Sequence, residues 1–219
     1  MIKAVLFDMD GILYDSECWY LKGTTEQLRS FGYEGPDEAV YASIGLDMEG
    51  NYDLLEKLLD YKVPREEIIR SNETYFNVLH PLDYKAIMFP GIPEELKRIR
   101  EMGIKTAVCS ASPLSIIKNS LDAMEIRELF DFIETGENVK RPKPAGDIYE
   151  LAAKELGVDV HECLVYEDSR LGIEAGKNAG IFTIAREDKR FGQDQSHADL
   201  IVKDVHELTE WIRKENAYE

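Results

Sequence analysis

Short apolar runs recur along the chain and are separated by segments with the spacing of amphipathic helices. The six runs are Ala4 to Phe7, Thr106 to Cys109, Phe132 to Ile133, Leu164 to Tyr166, Ile181 to Ala185 and Leu200 to Val202. Within a run the apolar residues are mostly continuous, which is typical of strands covered on both faces in a parallel sheet. Strands that alternate with helices in this way predict an α/β fold with a doubly wound parallel sheet.

Two of the intervening helices have clear signals at their ends. One begins at Pro93 and reaches Gly103, which stands where a helix C-terminus favours glycine. The other begins near Ile148 and ends at Gly157. Both helices therefore have the length expected of a connection between parallel strands.

The stretch from residue 17 to residue 83 differs from the rest of the chain. It has no convincing strand, and its leucines and isoleucines cluster at helical spacing, as at Leu54, Leu55, Leu58 and Leu59. It lies between the first and second strands. We predict a small helical cap domain at residues 17–83, inserted into a core domain formed by residues 1–16 and 84–219.

Composition narrows the class of protein. The 219 residues carry a formal net charge of −17, which argues against nucleic acid or an anionic membrane surface as a partner. No apolar stretch approaches the ~18 residues of a membrane span, and the start of the chain does not resemble a signal peptide. The three cysteines form no CxxC motif. We expect a cytoplasmic protein that is a monomer or a weak dimer.

The first strand is followed by two acidic residues and a glycine. Asp8 and Asp10 lie at the carboxyl end of this strand, the edge at which open α/β sheets bind ligands. Both carboxylates face one site only if the backbone turns between them, and Gly11 permits such a turn. Taken alone, the motif fits a simple turn equally well, whereas Ile12 and Leu13 stand where a calcium loop needs an acid and a glycine.

A second acidic pair, Glu167 and Asp168, follows the fourth strand. Acidic pairs after two strands of one parallel sheet can converge on a hard cation, and oxygen ligands of this kind suit Mg²⁺. The alternative is that the pair caps the next helix. Small residues in that helix, among them Gly172 and Gly176, would let it approach the sheet closely.

Two weaker signals also follow strands. Ser110, Ala111 and Ser112 come after the second strand and offer a hydroxyl and backbone N–H groups to a phosphate, although capping of the next helix explains them as well. Lys143 follows the third strand between Pro142 and Pro144, which restrict the direction of an otherwise ordinary lysine.

Together, these four segments resemble the motifs of the haloacid dehalogenase (HAD) superfamily, and the resemblance covers nearly the whole chain. They are Asp8 to Gly11, then Ser110, then Lys143 to Asp147 in a Lys-Pro-x-x-Asp context, and finally Glu167 with Asp168 before a glycine-rich helix. Gly146 replaces the proline that is usual in the third motif. The helical insert is similar to the cap of the β-phosphoglucomutase-like subgroup, which also contains sugar-phosphate phosphatases.

The resemblance implies a phosphoryl-transfer enzyme. Asp8 would be the nucleophile and form an aspartyl-phosphate, and Asp10 would act as general acid and base. Ser110, Ala111 and Lys143 would bind the phosphate. Mg²⁺ would be held by Asp8, by the backbone carbonyl of Asp10, and by Asp168 with Glu167.

The cap is where the resemblance is least complete. β-Phosphoglucomutases usually carry a histidine where Tyr20 stands, and an arginine after a segment that matches Gly45 to Asp47, where this chain has Met48. Methionine cannot replace the paired hydrogen bonds that an arginine guanidinium makes to a phosphate. These differences therefore favour a phosphatase acting on a sugar or polyol phosphate. Glu17, Tyr20 and Met48 are the candidate substrate residues of the cap. A phosphosugar mutase and a non-catalytic phosphate-binding protein are the alternatives.

Overall fold

The structure, a computed structural model, describes residues 1–44, 46 and 48–217. Gly45 and Asp47, which entered the comparison with the mutases, lie outside the described residues. Inter-residue contacts divide the chain into two compact units. The first unit comprises residues 1–15, 84–189 and 193–219, and the second comprises residues 16–83 and 190–192.

The first unit is built on a six-stranded sheet in which every neighbouring pair is parallel. The strands are β1 Ala4–Phe7, β2 Lys105–Ser110, β3 Phe132–Thr135, β4 Cys163–Glu167, β5 Phe182–Arg186 and β6 Leu200–Val202. Their spatial order is β3-β2-β1-β4-β5-β6. The prediction of a doubly wound parallel sheet is confirmed, and each of the six predicted strands is present.

The strand order reverses between β1 and β4. From β1 the chain builds the sheet outward through β2 and β3, and it then returns to the other side of β1 to form β4, β5 and β6. At such a point the loops after the two central strands separate and leave a crevice at their carboxyl ends. The register pairs Phe7 with Tyr166, so Asp8, the residue after β1, lies at the same level as Glu167, the last residue of β4.

Five α-helices accompany the sheet within the described part of this unit. They are α4 Ile92–Glu101, α5 Leu114–Ala123, α6 Asp147–Leu156, α7 Arg170–Asn178 and α8 Val205–Ala217. All residues of β1 and β4 are buried, which follows from helices on both faces of the sheet. The predicted glycine stops are confirmed, since Gly103 and Gly157 have the left-handed φ values of +77° and +67°.

Close contact between α7 and the sheet depends on glycine. A Cβ atom at Gly172 would overlap the carboxylate of Glu167, and one at Gly176 would overlap the hydroxyl of Thr183. The predicted role of the small residues in this helix is therefore confirmed. Gly146 shows the same constraint, because a Cβ atom there would lie 2.6 Å from the backbone nitrogen of Ala179. The proline that is usual in the third motif carries a Cβ atom and would meet the same contact here.

The second unit, here called the helical unit, contains helices and no strand among its described residues. Its elements are α1 Ser16–Ser30, a 3₁₀ helix Asp37–Ser43, α2 Met48–Leu58, α3 Arg65–Thr74 and a π-helix Tyr75–Leu79. Its core is formed by Leu21, Leu28, Val40, Leu55, Leu59 and Ile68. Residues 190–192 were not predicted to join it, and Phe191 does so by packing edge-on against Tyr41 at 5.4 Å.

Among the helices of the described residues, none combines the length and the apolar character that crossing a membrane requires.

Helices α4 and α8 are joined by a network of charged side chains. Glu95 on α4 is buried and accepts hydrogen bonds from Arg98 at 3.0 Å and from the Nδ1 atom of His206 at 2.9 Å. Arg98 also binds Glu210 on α8 at 2.6 Å. Burial acts to raise the pKa of Glu95, but its hydrogen bonds, that of His206 first, hold it below the usual value. The hydrogen bond to Glu95 in turn raises the pKa of His206.

The His206–Glu95 pair predicts a pH-dependent contribution to stability. Because the folded pKa of His206 is raised above its unfolded value near 6.5, the contribution is present below pH ~6.5 and is lost as the pH rises through the folded pKa. We therefore expect His206→Gln to lower the urea midpoint clearly at pH 6 and less at pH 9. Equal losses at both pH values would contradict the prediction.

The close approach of Ala179 to Gly146 predicts that a single methyl group added at residue 146 destabilises the fold. Gly146 has φ −75°, which any residue adopts, so Gly146→Ala tests packing and not backbone strain. We expect a loss of about 1–3 kcal/mol in the free energy of unfolding, because the added carbon meets backbone that moves only together with its helix. Urea denaturation measures this change, and an unchanged midpoint would contradict the prediction.

Candidate functional site

Asp8 is the first residue after β1, and its side chain is buried at the carboxyl edge of the sheet. Its N–H donates to the carbonyl of Tyr166 at 3.0 Å, which extends the pairing of β1 with β4 by one residue. A turn follows, in which Gly11 has φ +76°. A Cβ atom at Gly11 would overlap the carboxylate of Asp168. Residue 11 must therefore be glycine both for the turn and for the approach of the β4 loop.

Lys143, in the loop after β3, contacts groups at the carboxyl ends of β1, β2 and β4. Its ammonium group donates to Oδ1 of Asp8 and to Oε1 of Glu167, each at 2.7 Å, and lies 3.4 Å from the carbonyl of Cys109. The ring centre of Tyr149 is 5.0 Å away. The side chain of Lys143 is only 11% exposed, so these ion pairs are largely shielded from water.

Glu167 is completely buried, and both of its oxygens accept several hydrogen bonds. Oε1 accepts from Lys143 and, at 3.1 Å, from the hydroxyl of Tyr149. Oε2 accepts from the backbone N–H groups of Asp168 and Ser169 at 2.8 and 2.9 Å, and from the Ser169 hydroxyl at 3.1 Å. Glu167 thus orients Lys143 and the loop after β4 at the same time.

Three buried carboxylates form a group that is able to hold a metal ion. One oxygen each of Asp8, Glu167 and Asp168 lies within 4.8 Å of the others. The group contains three of the four predicted metal-binding residues; Asp10, expected to bind through its backbone carbonyl, adds no carboxylate to it. Ionised, these three carboxylates outweigh the single charge of Lys143 by two negative charges, a balance that suits a divalent cation with oxygen ligands.

The pKa values at the site lead to the same conclusion. Burial, aided by the charge of Glu167, raises the pKa of Asp8 to about 8 although Lys143 opposes the shift. Burial also disfavours the charged forms of Glu167 and Lys143. Attraction to Lys143 nevertheless lowers the pKa of Glu167, and the carboxylates of Asp8 and Glu167 raise the pKa of Lys143. Asp8 consequently needs further positive charge nearby to be ionised at neutral pH, and a cation among the carboxylates would supply it.

Ser110 and Ala111 lie at the same edge of the sheet. The register pairs Phe7 with Val108, which brings the end of β2 beside Asp8. The hydroxyl of Ser110 is buried and accepts from the N–H of Ser112 at 3.1 Å.

Neither helix-capping alternative holds. Helix α5 begins after Pro113 without a side-chain cap, so the reading of residues 110–112 as its cap is wrong. The same holds for Glu167 and Asp168, since the residue that caps α7 is Ser169, whose hydroxyl accepts from the N–H of Gly172 at 3.1 Å.

The candidate substrate residues of the cap lie within the helical unit. Glu17 is half-buried in the first turn of α1, and Met48 begins α2 with 66% of its surface exposed. Tyr20 is exposed and contacts Trp19 and Phe76, with ring centres 4.9 and 5.2 Å away. Exposure leaves Tyr20 and Met48 able to contact a ligand, while the aromatic contacts of Tyr20 restrict its orientation.

Three residues around this site were not predicted from the sequence. Tyr149 was hidden in the apolar pattern of α6, although its position two residues after Asp147 places it just beyond the third motif. Arg186 and Gln195 bind the backbone of the loops after β1 and β4. An arginine that ends a buried strand was a signal for Arg186, whereas nothing in the local sequence distinguishes Gln195 from a surface residue.

Comparisons with known proteins agree with this geometry. Residues 5–186 match the family described as haloacid dehalogenase-like hydrolase. The chain is 30% identical over 181 residues to a phosphorylated carbohydrates phosphatase of Thermotoga maritima, covering 82% of each protein. It is 29% identical to hexitol phosphatase B of Escherichia coli K12, covering 95% of each. A β-phosphoglucomutase structure from Clostridium difficile superimposes with a TM-score of 0.79 at 26% identity, covering 100% of this chain and 99% of that one.

The family match spans most of the chain, including all four motifs, and the structural likeness extends over the whole of it. The predicted superfamily, its β-phosphoglucomutase-like subgroup and the hydrolase class are therefore confirmed. The chain belongs to the family of haloacid dehalogenase-like hydrolases.

Proposed function

We propose that the protein is a Mg²⁺-dependent phosphatase that hydrolyses a small phosphorylated metabolite, of the sugar or polyol phosphate class, through an aspartyl-phosphate on Asp8. One observation carries the proposal. A buried aspartate at the point where the strand order reverses is paired with a buried lysine and lies within 4.8 Å of two further carboxylates.

The roles of the residues follow from charge and position. A carboxylate oxygen of Asp8 bonds to phosphorus while the bond from phosphorus to the ester oxygen breaks, and Asp10 gives a proton to that oxygen. Water then attacks the phosphorus of the aspartyl-phosphate as Asp10 takes up the proton of the water. The acyl-phosphate bond breaks, and phosphate leaves with Asp8 again ionised.

An anionic carboxylate and an anionic phosphate repel each other unless positive charge lies between them. Lys143 supplies one charge and is held in place by Asp8 and Glu167. Ser110 and the N–H groups near Ala111 are suited to bind phosphate oxygens. Mg²⁺ held by Asp8, the Asp10 carbonyl and Asp168, with Glu167 beside them, would neutralise developing charge on the phosphoryl group. Of these residues, Glu167 is the least suited to bind Mg²⁺ directly, because its oxygens already accept five hydrogen bonds.

The names of the relatives support the substrate class. The Thermotoga maritima protein is named for phosphorylated carbohydrates and the Escherichia coli protein for hexitols. The structural similarity to a β-phosphoglucomutase supports a phosphosugar mutase as the second candidate function. Tyr20 and Met48, where mutases usually carry histidine and arginine, favour the phosphatase.

The first prediction from this proposal concerns the nucleophile. We expect Asp8→Asn to lower Mg²⁺-dependent hydrolysis of p-nitrophenyl phosphate by about 10³-fold or more, because an amide cannot form the aspartyl-phosphate. Phosphate release measured with and without EDTA tests both the residue and the metal. The control is Asp131→Asn, an exposed aspartate that binds Arg100 just before β3. Unchanged activity in Asp8→Asn would refute the proposal, and absence of hydrolysis by the wild type across a panel of phosphoesters would favour the non-catalytic alternative.

The second prediction separates phosphatase from mutase. With hexose and hexitol phosphates as substrates, we expect one inorganic phosphate per substrate consumed and no isomer, because water is the acceptor. Phosphate assays and ³¹P NMR on the same reaction measure both products. Isomerisation that requires a sugar bisphosphate, with little free phosphate, would establish the mutase instead.

A further inference from the structure

Arg186, the last residue of β5, reaches from that strand to the loop after β1. It is 8% exposed, and its Nε atom donates to the carbonyl of Gly11 at 2.5 Å. Its guanidinium carbon lies 4.4 Å from the ring centre of Phe89. A buried guanidinium is costly unless it is paired, and Asp188 provides the pairing through a 3.0 Å ion pair.

Gln195 performs the corresponding task for the loop after β4. It is 7% exposed, and its amide nitrogen donates to the carbonyls of Asp168 at 2.6 Å and Arg186 at 2.7 Å. Its amide oxygen accepts from the N–H of Asp188 at 3.2 Å. Both amide hydrogens and the amide oxygen are therefore used, which leaves the side chain a single favourable orientation.

The two loops held in this way meet each other at the acidic cluster. Gly11 follows Asp10 directly and contacts the carboxylate of Asp168, while Gln195 holds the backbone of Asp168 itself. The positions of the carboxylates in the cluster thus depend on two contacts to backbone carbonyls. One is made by Arg186 at the end of β5, and the other by Gln195 in the segment after it. Neither Arg186 nor Gln195 lies in any of the four sequence motifs.

We propose that Arg186, Asp188 and Gln195, here called the carbonyl clamp, are positioning residues that set the affinity of the acidic cluster for Mg²⁺. The inference rests on the proposed function, because it assumes that the cluster binds this ion. The clamp does not touch the ion or the substrate. It fixes the loops after β1 and β4, so that the carboxylates need not be reordered when the ion binds.

The test combines direct Mg²⁺ binding with kinetics. For Gln195→Met, which keeps the length of the side chain but removes its hydrogen bonds without adding charge, we expect the Mg²⁺ Kd from isothermal titration calorimetry to rise about 10- to 100-fold. The Mg²⁺ concentration for half-maximal phosphatase activity should rise by the same factor. At saturating Mg²⁺, kcat should return to within about threefold of wild type, because the reacting groups themselves are intact.

A second pair of variants tests the arginine. Arg186→Met removes the hydrogen bonds to Gly11, Glu187 and Asp188, and we expect a rise in Kd in the same 10- to 100-fold range. Arg186→Lys retains a donor for Gly11 and should give an intermediate Kd, since lysine lacks the planar fork that also binds Asp188. Thermal melts in EDTA identify the folded variants on which these constants are measured.

Two control variants remove comparable contacts elsewhere in the same unit. Arg100→Met loses a carbonyl contact to Leu129 at 3.2 Å and an ion pair to Asp131 at 2.7 Å, which lie just before β3. Asn216→Ala loses the pair of hydrogen bonds to the backbone of Ile2, at 2.7 and 2.9 Å. We expect both controls to bind Mg²⁺ with wild-type affinity, even where their melting temperatures fall.

The remaining outcomes are distinct. Clamp variants that bind Mg²⁺ as tightly as the wild type would overturn the inference while leaving the phosphatase proposal intact. Equal weakening in the control variants would overturn it as well, since the effect would then reflect general loss of stability. A wild-type protein that neither binds Mg²⁺ nor hydrolyses phosphoesters would remove the proposed function and the inference together.

Discussion

The ion pairs of Lys143 with Asp8 and Glu167 are the interaction on which the rest of the site depends. Three carboxylates converge where the strand order reverses, and in a buried environment they repel one another strongly. One ammonium group, held at 2.7 Å from two of them, offsets part of that repulsion in the absence of metal. The remaining negative charge makes the site receptive to a divalent cation, so the fold tolerates the cluster and the proposed chemistry uses it.

Much of this arrangement was predictable from the sequence because its signals are local. Continuous apolar runs, glycine at helix ends and acids after strands predicted the sheet, the helices and the loops that meet at its carboxyl edge. Asp8, Glu167 and Asp168, which are up to 160 positions apart in the chain, do lie together. Order along the chain was sufficient here, because a parallel sheet brings the carboxyl ends of all its strands to one edge.

The features that were missed arise from contacts distant in sequence. Tyr149 was taken for part of an apolar helix face, yet its hydroxyl binds Glu167. Gln195 acts only through the backbone carbonyls of Asp168 and Arg186, and no pattern within its own segment encodes that geometry. The attachment of residues 190–192 to the helical unit was missed for the same reason. Groups that carry chemistry are therefore easier to predict from a single sequence than groups that only hold others in place.

The hydrogen atom that serves as the side chain of Gly11 has a consequence for altering this protein. The space that a larger side chain would occupy is already taken by the carboxylate of Asp168. Residue 11 therefore cannot be varied in directed evolution toward new substrates, although it adjoins Asp10. A mutant library should instead vary exposed positions such as Tyr20 and Met48, where a substitution displaces no buried charge.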